Sequence, residues 1–267
     1  MSIEISVGLP MFRSKYIGWL ALEGLTRQED IDFEWEVVIA EETELNAMGY
    51  DEIMPYKERL YDAGCINITY IPLDEWIPLA RKWTIIIDKC DKNSKIFTLL
   101  GADMYPPKRR IRNIYNAFQG DINFYGNSYD VMYDIKTENV AIYKQPPKGS
   151  GMTLLLKYAR KIKPADIGAT VDAWVYNNYK SVLDCDLKIF IDNTDAWKYG
   201  FNTNGLNNIS NTLSRSNSVI GFKGSYDKPD FDIKENIPLE ILTKLKNCKE
   251  YMKKHEERRK NNIHNIT

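Results

Sequence analysis

The residues best suited to chemistry in this 267-residue chain lie at the end of one apolar run. Ile96-Phe97-Thr98-Leu99-Leu100 leads into Gly101-Ala102-Asp103 and then into Met104-Tyr105-Pro106-Pro107. The run reads as a buried strand that delivers one carboxylate, Asp103, to its C-terminal end, where Pro-Pro stops the pairing. That edge is where open α/β sheets bind ligands. A carboxylate on a short Gly-containing turn there can hold a divalent cation that carries phosphate oxygens. Mg²⁺ and Mn²⁺ prefer hard oxygen ligands and bind through one or two carboxylates plus substrate. The same residue type also forms turns and caps helices, and a helix expected over residues 108–119 would take a cap nearby.

Other counts exclude chemistry. The two histidines, His255 and His264, both fall in a polar tail that reads as a solvated helix end. His-dependent nucleophilic catalysis and His-containing zinc sites therefore have no core histidine, which leaves Asp or Glu as general base and oxygen as the metal-holding atom. Cys65, Cys90, Cys185 and Cys248 show no CxxC spacing and read as reduced, mostly buried thiols. With 36 Lys and Arg against 37 Asp and Glu the chain is not globally basic, although local clusters survive that average. No apolar stretch reaches the roughly 20 residues of a membrane span, and Met1-Ser2-Ile3-Glu4-Ile5 has no signal-peptide character, so a cytoplasmic protein is expected.

The elements that must position Asp103 follow from periodicity. Residues 3–9 read as a strand stopping at Pro10, and residues 14–28 as a helix with Ile17, Leu20, Ala21 and Leu25 on one face. Strands are expected over 36–40 and 68–71, with a short helix carrying Tyr56, Leu60 and Tyr61 between them. A helix over Leu79–Lys89, with Trp83, Ile86 and Ile87 inward, precedes the fourth strand, which ends at Asp103. This alternation implies right-handed crossovers and a largely parallel sheet. After Gly120, residues 122–125, 131–134 and 140–143 read as meander-like antiparallel pieces. Helices over 151–162 and 171–181, a strand over 187–191, a Gly/Asn-rich stretch over 194–211 and an amphipathic helix from Pro238 to about residue 260 complete the reading.

Several of these segments together resemble the family-2 glycosyltransferases of the GT-A fold. Ile5-Ser6-Val7-Gly8-Leu9-Pro10-Met11-Phe12-Arg13, Leu25-Thr26-Arg27-Gln28 and Glu36-Val37-Val38-Ile39-Ala40-Glu41-Glu42 look like that family's opening strand, helix and second strand with paired acids. Leu79-Ala80-Arg81-Lys82-Trp83 is similar to its Ala-Arg-Asn helix start, and Gly101-Ala102-Asp103 stands where it carries an Asp-x-Asp metal motif. The resemblance covers residues 3–180. It implies an α/β, GT-A-like fold with a mainly parallel sheet and a small antiparallel portion. Residues 1–235 would form one catalytic domain, with a nucleotide-sugar half over 1–120 and an acceptor half over 121–235. Residues 236–267 would form an appended helix and tail.

The implied activity is transfer of a sugar from a nucleotide-diphosphate-sugar, UDP-sugar favoured, to an acceptor hydroxyl with Mn²⁺ or Mg²⁺ and inversion at the anomeric carbon. Asp103 matches the second acid of the metal motif, while Gly101 replaces the first. Pro10, Gly101 and Ala102 would line the donor site, Glu41 would read the base with Glu42 as an exposed neighbour, and Arg81 would lie near the nucleotide. Asp172, in Val171-Asp172-Ala173-Trp174, matches the family's catalytic acid, with Asp166, Asp184 and Asp186 competing for the role and a helix-dipole role for Asp172 equally open. Lys198, in an aromatic Gly-rich stretch, would offset diphosphate charge from a lid. Basic runs at Lys108-Arg109-Arg110-Ile111-Arg112 and Lys157-Tyr158-Ala159-Arg160-Lys161 would suit a polyanion. With a Lys/Asn/Ile-rich composition of the kind associated with viral or phage chains, they set a modified DNA base beside a glycan as acceptor. Non-catalytic nucleotide or nucleic-acid binding on a degenerate GT-A fold is the alternative.

Overall fold

The computed structural model describes residues 3–43, 46–127, 129–134, 140–144, 151–168, 171–192, 219–222 and 238–247. Four parallel strands come first: β1 (Ile5–Met11), β2 (Trp35–Glu42), β3 (Cys65–Leu73) and β4 (Ile96–Leu99). Between them run α1 (Trp19–Leu25), the turns α2 (Tyr50–Ile53) and α3 (Lys57–Asp62), and α4 (Leu79–Lys89). β5 (Met104–Tyr105), α5 (Arg110–Ala117), β6 (Phe124–Asn127), β7 (Tyr129–Asp134), β8 (Val140–Lys144) and β9 (Thr153–Leu155) follow. The remaining described elements are α6 (Leu156–Ala159), α7 (Val171–Val182), β10 (Ile189–Asp192), β11 (Val219–Phe222) and α8 (Leu239–Lys246).

The larger sheet has the order β10-β6-β9-β4-β1-β2-β3, and the smaller one β5-β11-β7-β8. Within the larger sheet β9 runs antiparallel to both β4 and β6, and every other described pairing is parallel. The central strands therefore end at one edge. Period-two alternation builds both core layers. Ile5, Val7, Leu9, Trp35, Val37 and Ile39 face α1 and α8, whereas Val38, Ala40, Phe97 and Leu99 face α4, α6 and α7. Gly8 lies on the second face, where an added Cβ would come within 2.7 Å of the Phe97 ring. On the first face Gly24 lets α1 approach Pro106, an added Cβ lying 2.5 Å from its Cδ and 3.0 Å from its carbonyl oxygen.

Several expectations change. β1 continues through Pro10, which pairs opposite Ala40. The Gly8 carbonyl accepts from Leu100 N–H on the β4 side, so Pro10, two residues on, turns its missing N–H to the same side, where β4 has already ended. The first helix is shorter than residues 14–28, because the Ser14 carbonyl accepts from both Ile17 and Gly18 N–H and closes a turn ahead of it. The fourth strand stops at Leu99, and Asp103 sits on the turn that follows. Residues 122–125 fall in the larger sheet rather than in a meander, since β6 pairs with β9 and β10. The segment expected as a helix over 151–162 begins as β9. Met152, Thr153 and Leu154 are fully buried between sheet neighbours, a pattern that periodicity alone does not separate from a buried helix. Cys65 and Cys90 are buried and Cys185 is exposed. Cys248, His255, His264 and the 194–211 stretch lie outside the described residues. Among the described residues no helix is long and apolar enough to cross a membrane.

Glu23 on α1 receives two hydrogen bonds from Arg59 on α3, at 3.0 and 2.7 Å. Burial raises the Glu23 pKa, but Arg59, with Arg27 and Lys244 nearby, outweighs it and holds the carboxyl below its ordinary value. A depressed carboxyl contributes stability that is present above the unfolded pKa and lost as the pH falls. Glu23→Gln is therefore expected to flatten the loss of stability below about pH 4.5 in acid titrations of urea unfolding. Gly24→Ala, which forces α1 off Pro106, is expected to cost about 1–3 kcal/mol in the same unfolding measurement at neutral pH.

Candidate active site

A cavity of about 420 Å³ opens at the edge where β1 and β4 end. Its walls come from Pro10 on β1, Phe12, Arg13, Ser14, Tyr16 and Ile17 in the turn after it, Leu79 and Trp83 on α4, Leu99 to Met104, Gly151 ahead of β9, and Asp172 on α7. Of the residues singled out in the sequence, Pro10, Gly101, Ala102, Asp103 and Asp172 are thus brought together. Asp103 is exposed on the turn between β4 and β5, which is closed by the Met104 N–H donating to the Gly101 carbonyl at 3.1 Å. Asp172 lies in the first turn of α7.

Adjacent residues on a strand face opposite ways, and β2 divides its two acids accordingly. Glu41, fully buried, accepts from Met48 N–H at 2.8 Å, Gly49 N–H at 2.9 Å and the Tyr70 hydroxyl at 3.2 Å. It holds the 46–49 loop, whose Asn46 carbonyl accepts from Lys15 N–H beside the cavity wall, and it does not itself line the cavity. Glu42, expected to be exposed, is buried on the other face and pairs with Lys82, whose ammonium also donates to the Met11 carbonyl at 2.7 Å. Burial draws the Lys82 pKa down against the opposing pull of Glu42. Glu42 Oε1 and Trp83 Nε1 are buried with no partner among the described residues.

Arg81 points away from this machinery. It is exposed, with its guanidinium 3.8 Å from Asp166, and it is absent from the cavity wall. Asp184 accepts from the Tyr158 hydroxyl. None of the three acids that competed with Asp172 lines the cavity. Lys198 lies outside the described residues. The first basic run is largely neutralised: Lys108 pairs with Glu29 at 3.0 Å, Arg109 with Asp30 at 2.6 Å and Arg112 with Asp32 at 2.6 Å. Arg110 is buried and donates to Thr98 Oγ1, Leu99 O and Gly151 O at 3.0, 3.3 and 3.0 Å, tying the end of β4 to Gly151 under the cavity. Its sequence signal was present, since Arg110 precedes Ile114 by four residues and so shares the apolar face of α5. Lys82 carried the same signal, four residues ahead of the inward Ile86, and Trp83 was itself expected to turn inward.

Among the described residues no group of three or more His, Cys, Asp or Glu side chains is placed to hold a metal ion. Asp103 fits a different donor set: one exposed carboxylate, completed by substrate phosphate and water oxygens, of the hard type that Mg²⁺ and Mn²⁺ accept.

The fold is shared with a known enzyme. TarS of S. aureus, a GT-A-type glycosyltransferase, aligns with a TM-score of 0.54 at 10% identity over 72% of this chain. TarS 1–349 in complex with UDP aligns with a TM-score of 0.54 at 12% identity over 71%. The chain spans 36% and 57% of the lengths of those two. No protein-family model matches the sequence, and no curated protein does. Sheet order and structural likeness together give the chain a GT-A-like fold, mixed α/β with a mostly parallel sheet and a small antiparallel part.

Removing one partner of the buried pair strands a charge. Lys82→Met is expected to cost about 3–5 kcal/mol, and Lys82→Met combined with Glu42→Leu to recover most of that loss in equilibrium unfolding.

Proposed function

We propose that this protein is a glycosyltransferase that moves a sugar from a nucleotide-diphosphate donor, UDP-sugar favoured, to an acceptor hydroxyl. One observation carries the reading. Residues as distant in sequence as Pro10, Asp103 and Asp172 meet in a single cavity at the ligand edge of a GT-A-like sheet. The TarS complex with UDP supports the choice of donor. Pro10, Gly101 and Ala102 form the wall against which the donor lies. Asp172 takes the proton from the acceptor hydroxyl as its oxygen bonds to the anomeric carbon. The bond from that carbon to the diphosphate oxygen breaks, and the carbon inverts. A Mn²⁺ or Mg²⁺ ion held by Asp103 would neutralise charge on the departing diphosphate. Glu41 acts by fixing the loop behind the wall rather than by reading the base. Of the two acceptors, a glycan hydroxyl is preferred to a DNA base, because the acids at residues 29–32 neutralise much of the first basic run.

One feature favours the alternative of nucleotide binding without turnover, namely Gly101 in place of a first acid. Thermal unfolding against a panel of nucleoside diphosphates, with and without Mn²⁺, separates the two readings when paired with donor hydrolysis. The transferase reading expects stabilisation by one nucleotide, reduced in Asp103→Asn, together with slow hydrolysis of the matching nucleotide-sugar. Asp172→Asn should keep donor binding and lose turnover by a factor on the order of 10²–10⁴. Stabilisation with no hydrolysis of any nucleotide-sugar would leave a binding protein.

A further inference from the structure

Among the described residues that line the cavity, Arg13 is the one permanent cation, set among walls whose other charged groups are Asp103 and Asp172. Its backbone is unusual. Arg13 has a φ of 49°, in the left-handed region, and the other described non-glycine residues there are Asp30 and Asn46. Asp and Asn are the side chains that tolerate this conformation best, through local hydrogen bonds, and an asparagine would hold it at lower cost than an arginine. Strain of this kind, sited at a cavity, points to a use for the side chain. The kink brings the chain out of β1 and into the turn over residues 14–18. The Phe12 N–H is tied to Ser14 Oγ at 3.0 Å, and the Arg13 guanidinium lies over the Phe12 ring, 5.0 Å from its centroid. Phe12 is itself part of the wall. The guanidinium therefore lies against part of the cavity wall.

Charge balance gives it a task. Asp103 folds over the space that a side chain at position 101 would fill, since a Cβ on Gly101 would lie 2.9 Å from Asp103 Oδ1. A divalent cation here would have a single protein carboxylate, and that leaves phosphate charge for another group to meet. A guanidinium binds two phosphate oxygens at once and does so without metal. We infer that Arg13 is a binding residue for the diphosphate of the ligand, and that this cavity retains diphosphates in the absence of a divalent cation. The inference rests on the transferase reading for the identity of the ligand.

The test uses inorganic pyrophosphate, UDP and uridine with the full chain in EDTA, read by thermal unfolding and by calorimetric titration. The wild type should bind pyrophosphate and UDP without metal. Arg13→Asn, which suits the left-handed backbone, should unfold at or above the wild-type temperature. It should bind both phosphates more weakly by a factor on the order of ten, with uridine unaffected. Arg13→Gln gives the same reading if the asparagine variant folds poorly. Wild-type protein that binds UDP only when Mn²⁺ is added, or folded variants that bind pyrophosphate and UDP as the wild type does, overturn the assignment alone. Wild-type protein that binds no nucleotide and no pyrophosphate, with or without metal, overturns the transferase reading and this assignment with it.

Discussion

Where β1 and β4 end, their last carbonyls, on Met11 and Leu99, meet buried cations rather than a continuing ladder: Lys82 donates to the first and Arg110 to the second. Both side chains are almost wholly buried, and each reaches a second element, Glu42 on β2 in one case and Gly151 ahead of β9 in the other. Burying a charge is tolerated only when its hydrogen bonds are met, and here those bonds are the ends of the strands that frame the cavity. The geometry of the floor is thus set by two residues that never face the ligand. Asp103, on the turn after Leu99, stands on what Arg110 holds in place.

The sequence was most readable where periodicity is unambiguous. The helix Leu79–Lys89 is observed with the expected bounds, and Trp83, Ile86 and Ile87 turn inward as expected. The parallel order of the first four strands follows from their alternation with helices, and Asp103 is found at the strand-end cavity that an acid after an apolar run suggested. Legibility fails where one pattern serves two structures. Met152-Thr153-Leu154 is apolar enough for a helix and becomes a strand because a slot between β4 and β6 is there to be filled, a fact about tertiary structure.

The site was legible in part for a similar reason. Glu41 and Glu42 are neighbours in sequence and lie on opposite sides of a sheet, so the choice between them depended on which face each would take. Arg81 and Lys82 invite the same error: the arginine goes to solvent and the lysine to the interior, one helical position apart. Nor does a run of basic residues reveal its partners. The acids that neutralise Lys108, Arg109 and Arg112 come from residues 29–32, some eighty positions earlier in the chain.

The antiparallel strand β9 also orders events during synthesis. β3, β2, β1 and β4 find their mutual partners within the first 99 residues, so four of the larger sheet's seven strands can assemble early from nearby segments. The outer side of β4 then waits for Thr153–Leu155, roughly fifty residues further on. Until then β4 is an unpaired edge in the middle of the future sheet. Growth of β9 into the gap ends the exposure, and it draws Gly151 and then α7, with Asp172, to the mouth of a pocket whose opposite wall has already formed.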